Sequence, residues 1–348
     1  DAYKLPTITN VTTSSTHNSI TINVSGQNGD GTITEYYYSK DNGSNYVKST
    51  SSSYTFTNLT SNTIFYIKVY VKDSNGRDSS VFTTNNTTIL TIADYVISQY
   101  TGTQGNNSLY YHNSSLANGA GDNSYRYAGA SDSVNNYICL GSDAATCPDA
   151  NLFRIIGVFG DQTKVIRAKS IGTQERDTNS SNTWSSSSLN TYLNGTYLTS
   201  LGTLAEKIAT TTWKVGGNTW DNIGDVVPAT AYQNEVGSSA STTTYDAKIG
   251  LMYVTDYYYS ASPSAWTLVG TYYRAAKSTN WLYLGSTEWT ISRNADRARN
   301  AFDVFSSGDV GDYSVTVSCA VRPSFNLLSS VTYASGSGTS SDPIRINL

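Results

Sequence analysis

The chain has 348 residues, 22 Lys plus Arg against 26 Asp plus Glu, and a formal net charge of −4. Only 14% of its residues are charged, and it is rich in Ser, Thr, Asn and Tyr. At roughly 150 residues per domain, two domains are expected, with ample chain to bury a core. There is no basic cluster, so nucleic acid is not an expected partner. There is also no unbroken apolar run of about 18 residues, so no membrane span is expected. The N-terminus shows no signal peptide, and no repeat of fixed period occurs.

Residues 1–90 read as short strands. Ser19 to Val24 alternates with period two, and Gly29 to Gly31 makes a turn. Thr34 to Lys40 is a second strand, carrying Tyr36, Tyr37 and Tyr38. Asp41, Asn42 and Gly43 signal a hairpin, because Asn-Gly tolerates positive φ. Tyr54 to Phe56 and Phe65 to Lys72 follow, then a turn at Ser74 to Gly76. Seven short strands at this spacing predict a small sandwich. Thr83 to Thr88 is polar and aperiodic, and reads as a linker.

The second domain, 91–348, mixes types. Leu152 to Phe159 is a central strand, with Lys164 to Arg167 as its partner across Gly160 and Asp161. Ser186 to Leu201 has helical spacing, a cap at Ser186 or Ser187, and a weak point at Gly195. Leu204 to Thr210 reads as a second short helix, with Glu206 facing a helix partner. Ala247 to Val254 reads as a strand, with Thr255 and Asp256 capping a helical turn. The remaining stretch gives strands over Trp281 to Leu284, Trp289 to Ser292, Ala301 to Phe305, Val315 to Val317 and Ser324 to Leu327. Cys139 and Cys147 either close a small disulfide loop or stay as separate thiols. Cys319, followed by Ala320 and Val321, reads as a buried small side chain rather than a nucleophile.

Two resemblances sharpen this. The runs Tyr54 to Leu59, Thr63 to Val69 and Asp73 to Gly76 resemble a fibronectin type III module. In such modules a Tyr stands six residues after the Leu and pins a corner. Here that position is Phe65, and Tyr66 points to the opposite face, so the corner bond is not expected. From about 150 onward the chain resembles a C-type-lectin-like domain. The branch is the one shared with formylglycine-generating enzymes and with Gram-positive surface proteins of unassigned function. Asn182 to Gly195, Ile249 to Tyr257, Glu288 to Ser292, Ala301 to Val304, Gly308 to Val310 and Ala320 to Phe325 carry it. The expected fold is therefore mostly β with minor α: a fibronectin type III-like β-sandwich (1–90) plus an α+β C-type-lectin-like domain (91–348). Trp184, Trp289, Ala301, Val304, Val321 and Phe325 fit core positions. Arg322 sits in an otherwise apolar strand, so it needs a carboxylate or carbonyl partner.

Between the core motifs, Arg293 to Asn300 packs three Arg with Asn and Asp and has no apolar stripe. In the lectin-like fold this region forms the exposed ligand surface, and in some relatives it is where sequence is diversified. The resemblance thus implies one exposed patch holding Thr290, Ser292, Asn294, Asp296, Arg297, Arg299, Asn300, Phe302, Phe305 and Tyr313. Tyr, Ser, Gly and Asn suit adaptable binding loops, and Arg is enriched at interface hot spots. A second aromatic group, Tyr257 to Tyr259 with Trp266, Tyr272 and Tyr273, offers rings for sugar stacking.

Enzyme chemistry finds little support. The two His, His17 and His112, form no zinc motif, and there is no Cys-x-x-Cys. No Gly-x-Ser-x-Gly elbow supports a triad on His112. The five Glu (Glu35, Glu175, Glu206, Glu235 and Glu288) suggest no glycosidase pair. Formylglycine-generating enzymes use paired cysteines near the end of the fold, where this chain has Cys319 alone. Asp309 and Asp312 lack the acidic company that a calcium-dependent sugar site needs. The expectation is a monomeric, non-enzymatic, extracellular binding protein of a bacterial cell surface, without cofactor or metal. Its partner would be a host glycoprotein, an immunoglobulin or a glycan. The alternatives are a structural stalk with no specific ligand, or a carbohydrate-binding module of a larger enzyme.

Overall fold

The computed structural model describes residues 3–347. The chain forms two compact units, divided between Asp94 and Tyr95. In the first unit, alternating apolar residues build seven strands: β1 (Thr7–Ser15), β2 (Ile20–Gln27), β3 (Ile33–Ser39), β4 (Val47–Ser49), β5 (Ser53–Phe56), β6 (Ile64–Asp73) and β7 (Phe82–Thr87). They pair into sheets β1-β2-β5 and β4-β3-β6-β7. This three-plus-four sandwich is what the fibronectin type III resemblance implies. Period two places Ile20, Ile22, Val24, Ile67, Val69 and Val71 in its core, with Tyr38 among them. Phe65 packs against that core, while Tyr66 on the opposite face is exposed. Asp73 is buried and accepts from the amides of Asn75 and Arg77, both at 2.9 Å, which fixes the Ser74–Gly76 turn. The expected linker at 83–88 is instead mostly strand: β7 pairs with β6, Thr84 opposite Ile67. Its β-branched Thr residues suit a half-buried pleat, and that outweighs their polarity.

In sequence, helix α1 (Ile92–Ser98) spans the division. The second unit then runs β8 (Leu109–Tyr111), β9 (Tyr125–Tyr127), β10 (Tyr137–Cys139), β11 (Leu152–Phe159), β12 (Gln162–Arg167) and β13 (Thr173–Glu175). Helices α2 (Ser188–Tyr192) and α3 (Leu198–Ser200) follow, joined by a wider π turn over Leu193–Tyr197 that contains Gly195. Next come β14 (Thr211–Lys214), α4 (Trp220–Ile223), α5 (Pro228–Glu235), β15 (Thr244–Ala247) and α6 (Val254–Tyr259). The chain ends in β16 (Glu288–Arg293), β17 (Asn300–Val304), β18 (Val310–Ser314), β19 (Ser318–Ala320), β20 (Ser324–Leu327), β21 (Tyr333–Ser335) and β22 (Ile344–Ile346). One sheet runs β20-β12-β11-β10-β22-β21, with β9 and β8 added beside β11. A second runs β13-β19-β16-β17-β18, and β14 pairs with β15 alone.

Several sequence expectations differ here. Ala247–Val254 is not one strand: β15 stops at Ala247, and Val254 already opens α6. Between them Gly250 pairs with Ser324 and lies flat on Trp213, where a Cβ would stand 2.7 Å from the indole. Trp281–Leu284 and Val315–Val317 form no strand, and in place of a helix over Leu204–Thr210 there is a six-residue 3-10 helix, Gly202–Lys207. Ser187 caps α2, accepting from the Asn190 amide at 3.1 Å. Asn194 pairs with the backbone of Ile249 through its side chain, donating to the carbonyl and accepting from the amide, both at 2.9 Å. Cys139 and Cys147 are joined in a disulfide, and Cys319 is a buried free thiol. Arg322 grips Glu288 with two bonds, Nε to Oε1 at 2.6 Å and Nη2 to Oε2 at 2.8 Å.

The aromatic residues tie loops to the core. All of Tyr257, Tyr258 and Tyr259 are buried on α6. Their hydroxyls donate to the carbonyls of Gly308 (2.8 Å), Ile223 (2.7 Å) and Asn118 (3.2 Å). Tyr273 likewise donates to the Tyr258 carbonyl at 2.7 Å. Trp213, Trp266, Trp281 and Trp289 each donate their indole N–H to a backbone carbonyl. Each ring buries a large area while its polar end bonds to a backbone carbonyl.

Candidate functional site

The ten residues expected on one patch fall into two groups. Thr290, Ser292, Asn294 and Phe302 are buried, so they are not on the exposed surface. The reason is that β16 and β17 are covered on both faces, and alternation brings neither set of side chains out. Thr290 Oγ1 donates to the Phe302 carbonyl at 2.7 Å, and Phe302 stacks on Trp220. Ser292 Oγ donates to Glu235 Oε1. The other six lie at the surface. Asp296, Arg297 and Arg299 are exposed on the β16–β17 hairpin, and Asn300 is half-buried. Tyr313 is exposed on β18 and packs its ring against half-buried Phe305 at 5.0 Å.

The hairpin is held from beneath by polar side chains. Asn182 is buried, and its Nδ2 reaches the carbonyls of Asn294 (2.7 Å), Arg297 (2.9 Å) and Asn300 (2.8 Å). Its own amide donates to the Ala298 carbonyl at 3.0 Å. Asn294 Oδ1 accepts from the amides of Asp296 (2.9 Å) and Arg297 (3.2 Å). Asp312 Oδ2 accepts from Asn294 and Asn300 Nδ2, both at 3.0 Å, and Arg297 Nη1 lies 3.3 Å from Oδ1. The backbone of 294–300 is therefore fixed by buried groups, while the side chains of Asp296, Arg297 and Arg299 face solvent. Such a loop loses little entropy on binding.

The aromatic group expected to stack on sugars does not reach the surface. Tyr257 to Tyr259, Tyr273 and Trp266 are buried, and only Tyr272 is exposed, at 64%. All three tyrosines in the row serve the core because α6 is buried on every side.

A second concavity was not expected. It has a volume of about 220 Å³ and lies between β9, the end of β11, β12, β14, α5, the start of α6 and β20. Phe159, Trp213, Tyr232 and Tyr253 form its walls, with Arg126, Lys164 and Asp256 among them. Lys164 Nζ donates to Asp256 Oδ2 at 2.6 Å and sits over the Tyr253 ring at 4.5 Å. Asp256 Oδ2 also accepts from the Tyr253 amide at 2.8 Å. Arg126 donates Nη2 to Asp122 Oδ2 at 2.7 Å and Nε to Ser124 Oγ at 2.8 Å. Its Nη1 stands 3.8 Å from Asp256 Oδ1, beyond hydrogen-bond reach. Burial pushes the Lys164 ammonium down, and the Asp256 charge opposes that shift. Beside the cavity, Glu235 accepts from the Val254 and Thr255 amides, both at 2.9 Å, and from Thr255 Oγ1 at 2.6 Å. The sequence held one signal of this cluster: Lys164 stands next to the apolar pair Val165 and Ile166 in a strand partner. Asp256 read only as a helix cap.

No group of three or more His, Cys, Asp or Glu among the described residues is placed to hold a metal ion. No helix among them is long and apolar enough to cross a membrane.

No family model matches the chain, and no curated protein matches it. Among solved structures it is similar to a fibronectin-type FN3tt variant, at 19% identity and TM-score 0.21, over 24% of this chain and 94% of that one. It is also similar to the PKD1 domain of the Vibrio cholerae metalloprotease PrtV, at 18% identity and TM-score 0.20, over 24% and 95%. A third is the chitinase ChiA74 from Bacillus thuringiensis, at 14% identity and TM-score 0.22, over 47% of this chain and 17% of that one.

Proposed function

We propose that the chain is a non-enzymatic, extracellular binding protein of a bacterial cell surface. In this reading a C-type-lectin-like domain presents the 295–299 hairpin to a host protein. The observation that carries it is the hairpin itself: Asp296, Arg297 and Arg299 stand exposed on a backbone that Asn182 and Asp312 hold from below. A loop needing only a solvated connection between two strands has no use for three carbonyl contacts from one buried Asn. Preorganised charged side chains beside an exposed Tyr313 match the chemistry of protein interfaces, where Arg and Tyr supply the anchors. A protein is favoured over a neutral glycan here, because the aromatic group expected to stack on sugar, Tyr257 to Tyr259 with Trp266 and Tyr273, is buried.

The test is a binding screen of the whole chain against immunoglobulins, mucins, serum proteins and glycans, with the double variant Arg297→Ala, Arg299→Ala as control. A protein hit that weakens by about tenfold or more in the double variant supports the reading. A hit indifferent to the double variant would overturn the assignment of the surface. A folded chain with no hit would leave the stalk reading in its place.

A further inference from the structure

The cavity flanked by Phe159, Trp213 and Tyr253 has a polar composition that selects a ligand. Arg126 is already paired with Asp122 and Lys164 with Asp256, and Lys214 also lines the cavity. A charged ligand would have to compete with these pairs, whereas a neutral one leaves both in place. Lys164 Nζ carries three donor hydrogens and has Asp256 Oδ2 as its acceptor within the protein. Arg126 Nη1 and Asp256 Oδ1 face each other across 3.8 Å without bonding. A purely apolar ligand would shut these groups off from water at a cost. A hydroxyl is at once donor and acceptor, and so completes both sides of such a gap. The walls supply aromatic faces for a ring's C–H surface. A volume of about 220 Å³ is small for a ligand site and suits one ring rather than a chain.

We propose that this cavity binds a single neutral, hydroxyl-rich ring, such as one pyranose unit. Its hydroxyls would bridge Lys164, Arg126 and Asp256 while its apolar face rests on the aromatic wall. Recognition runs through these side chains and needs no metal ion. The site lies apart from the 295–299 hairpin in its residues and does not depend on that reading.

The probes are glucose, galactose, mannose and N-acetylglucosamine, with glucuronate and glucosamine as charged controls. Binding to the whole chain is followed by saturation-transfer NMR. At least one neutral sugar should give a saturable signal and outcompete both charged controls. Val236→Trp, at the half-buried rim, should fill the cavity and weaken that binding about tenfold or more, and Lys164→Met should weaken it likewise. Arg297→Ala should leave it unchanged, which separates this site from the hairpin. Hydrogen exchange on the unmodified chain guards against misfolded variants: the sugar should slow exchange in 211–214 and 232–236. The proposal is overturned if no neutral sugar binds saturably. It is equally overturned if glucuronate or glucosamine binds best, if both folded variants bind as before, or if the slowed amides lie elsewhere.

Discussion

Asp303 lies on β17 with no exposure, and neither carboxylate oxygen has a hydrogen-bond partner. Burial, with the Asp312 charge adding to it, pushes its carboxyl up to about 8. The unfolded chain ionises this group near its ordinary value of 3.8, whereas the folded chain holds the proton until about pH 8. Folding is therefore weakened progressively as pH rises through that window. Asp303→Asn should raise the thermal midpoint, and by more at pH 8 than at pH 5. An equal gain at both pH values would show that Asp303 is already ionised in the fold. Arg322 behaves differently, because its charge is answered by Glu288. Arg322→Ala should cost about 3–5 kcal/mol in denaturant unfolding, since it strands a buried carboxylate. The Arg322 partner was legible in the sequence, because an Arg among apolar residues demands one. Asp303 was not, because in Phe302-Asp303-Val304 it reads as the polar half of an alternation that this doubly covered strand does not obey.

The β16–β17 hairpin depends on one distant side chain. Asn182→Ala removes the contacts to three carbonyls and should cost about 1–3 kcal/mol of stability. It should also speed hydrogen exchange at the amides of 295–299 and weaken partner binding, although Arg297 and Arg299 remain in place. Unchanged exchange there would mean the loop holds its own shape. The sequence marked this segment correctly as a polar insert between core motifs. It could not show that Asn294 and Asn300 face inward, because their partner Asp312 lies on the next strand and Asn182 lies over a hundred residues away. Helix α2 shows the reverse case. Its cap was legible from local pattern, and Ser187→Ala should cost about 1 kcal/mol.

Across the molecule, local patterns carried far and long-range pairing did not. The sandwich follows period two closely, so β2, β3, β5 and β6 were legible in outline; β1 and β4 were not placed, and polar β7 read as a linker. In the second unit β12 pairs with β20, Val165 opposite Phe325, and no turn or spacing announces such a partnership. The cavity is assembled from seven elements in the same way, which is why Lys164 and Asp256 looked unrelated. Acid should loosen this unit. Burial alone would raise the Asp122 carboxyl, but the Arg126 charge and the Ser124 donors outweigh it and hold it well below the usual range. His112 is buried and kept neutral, its pKa pushed down first by burial and then by Arg126. Both shifts are downward, so these two contributions are full above the ordinary values and fall as pH drops: His112 below about 6.5, against the opposite gain from Asp303, and Asp122 below about 3.8, where nothing from Asp303 offsets it. Circular dichroism across an acid titration should show this. The hydroxyls that Tyr257, Tyr258, Tyr259 and Tyr273 give to backbone carbonyls have a consequence at the other end of the scale. Burial drives these phenols far above their ordinary value, so the folded chain cannot release their protons where the unfolded chain does. In alkali the phenolate absorbance of these four tyrosines should therefore develop only on a slow, hysteretic step, as the chain opens. The ultraviolet absorbance of a basic solution would then report, in time, how long the core stays shut.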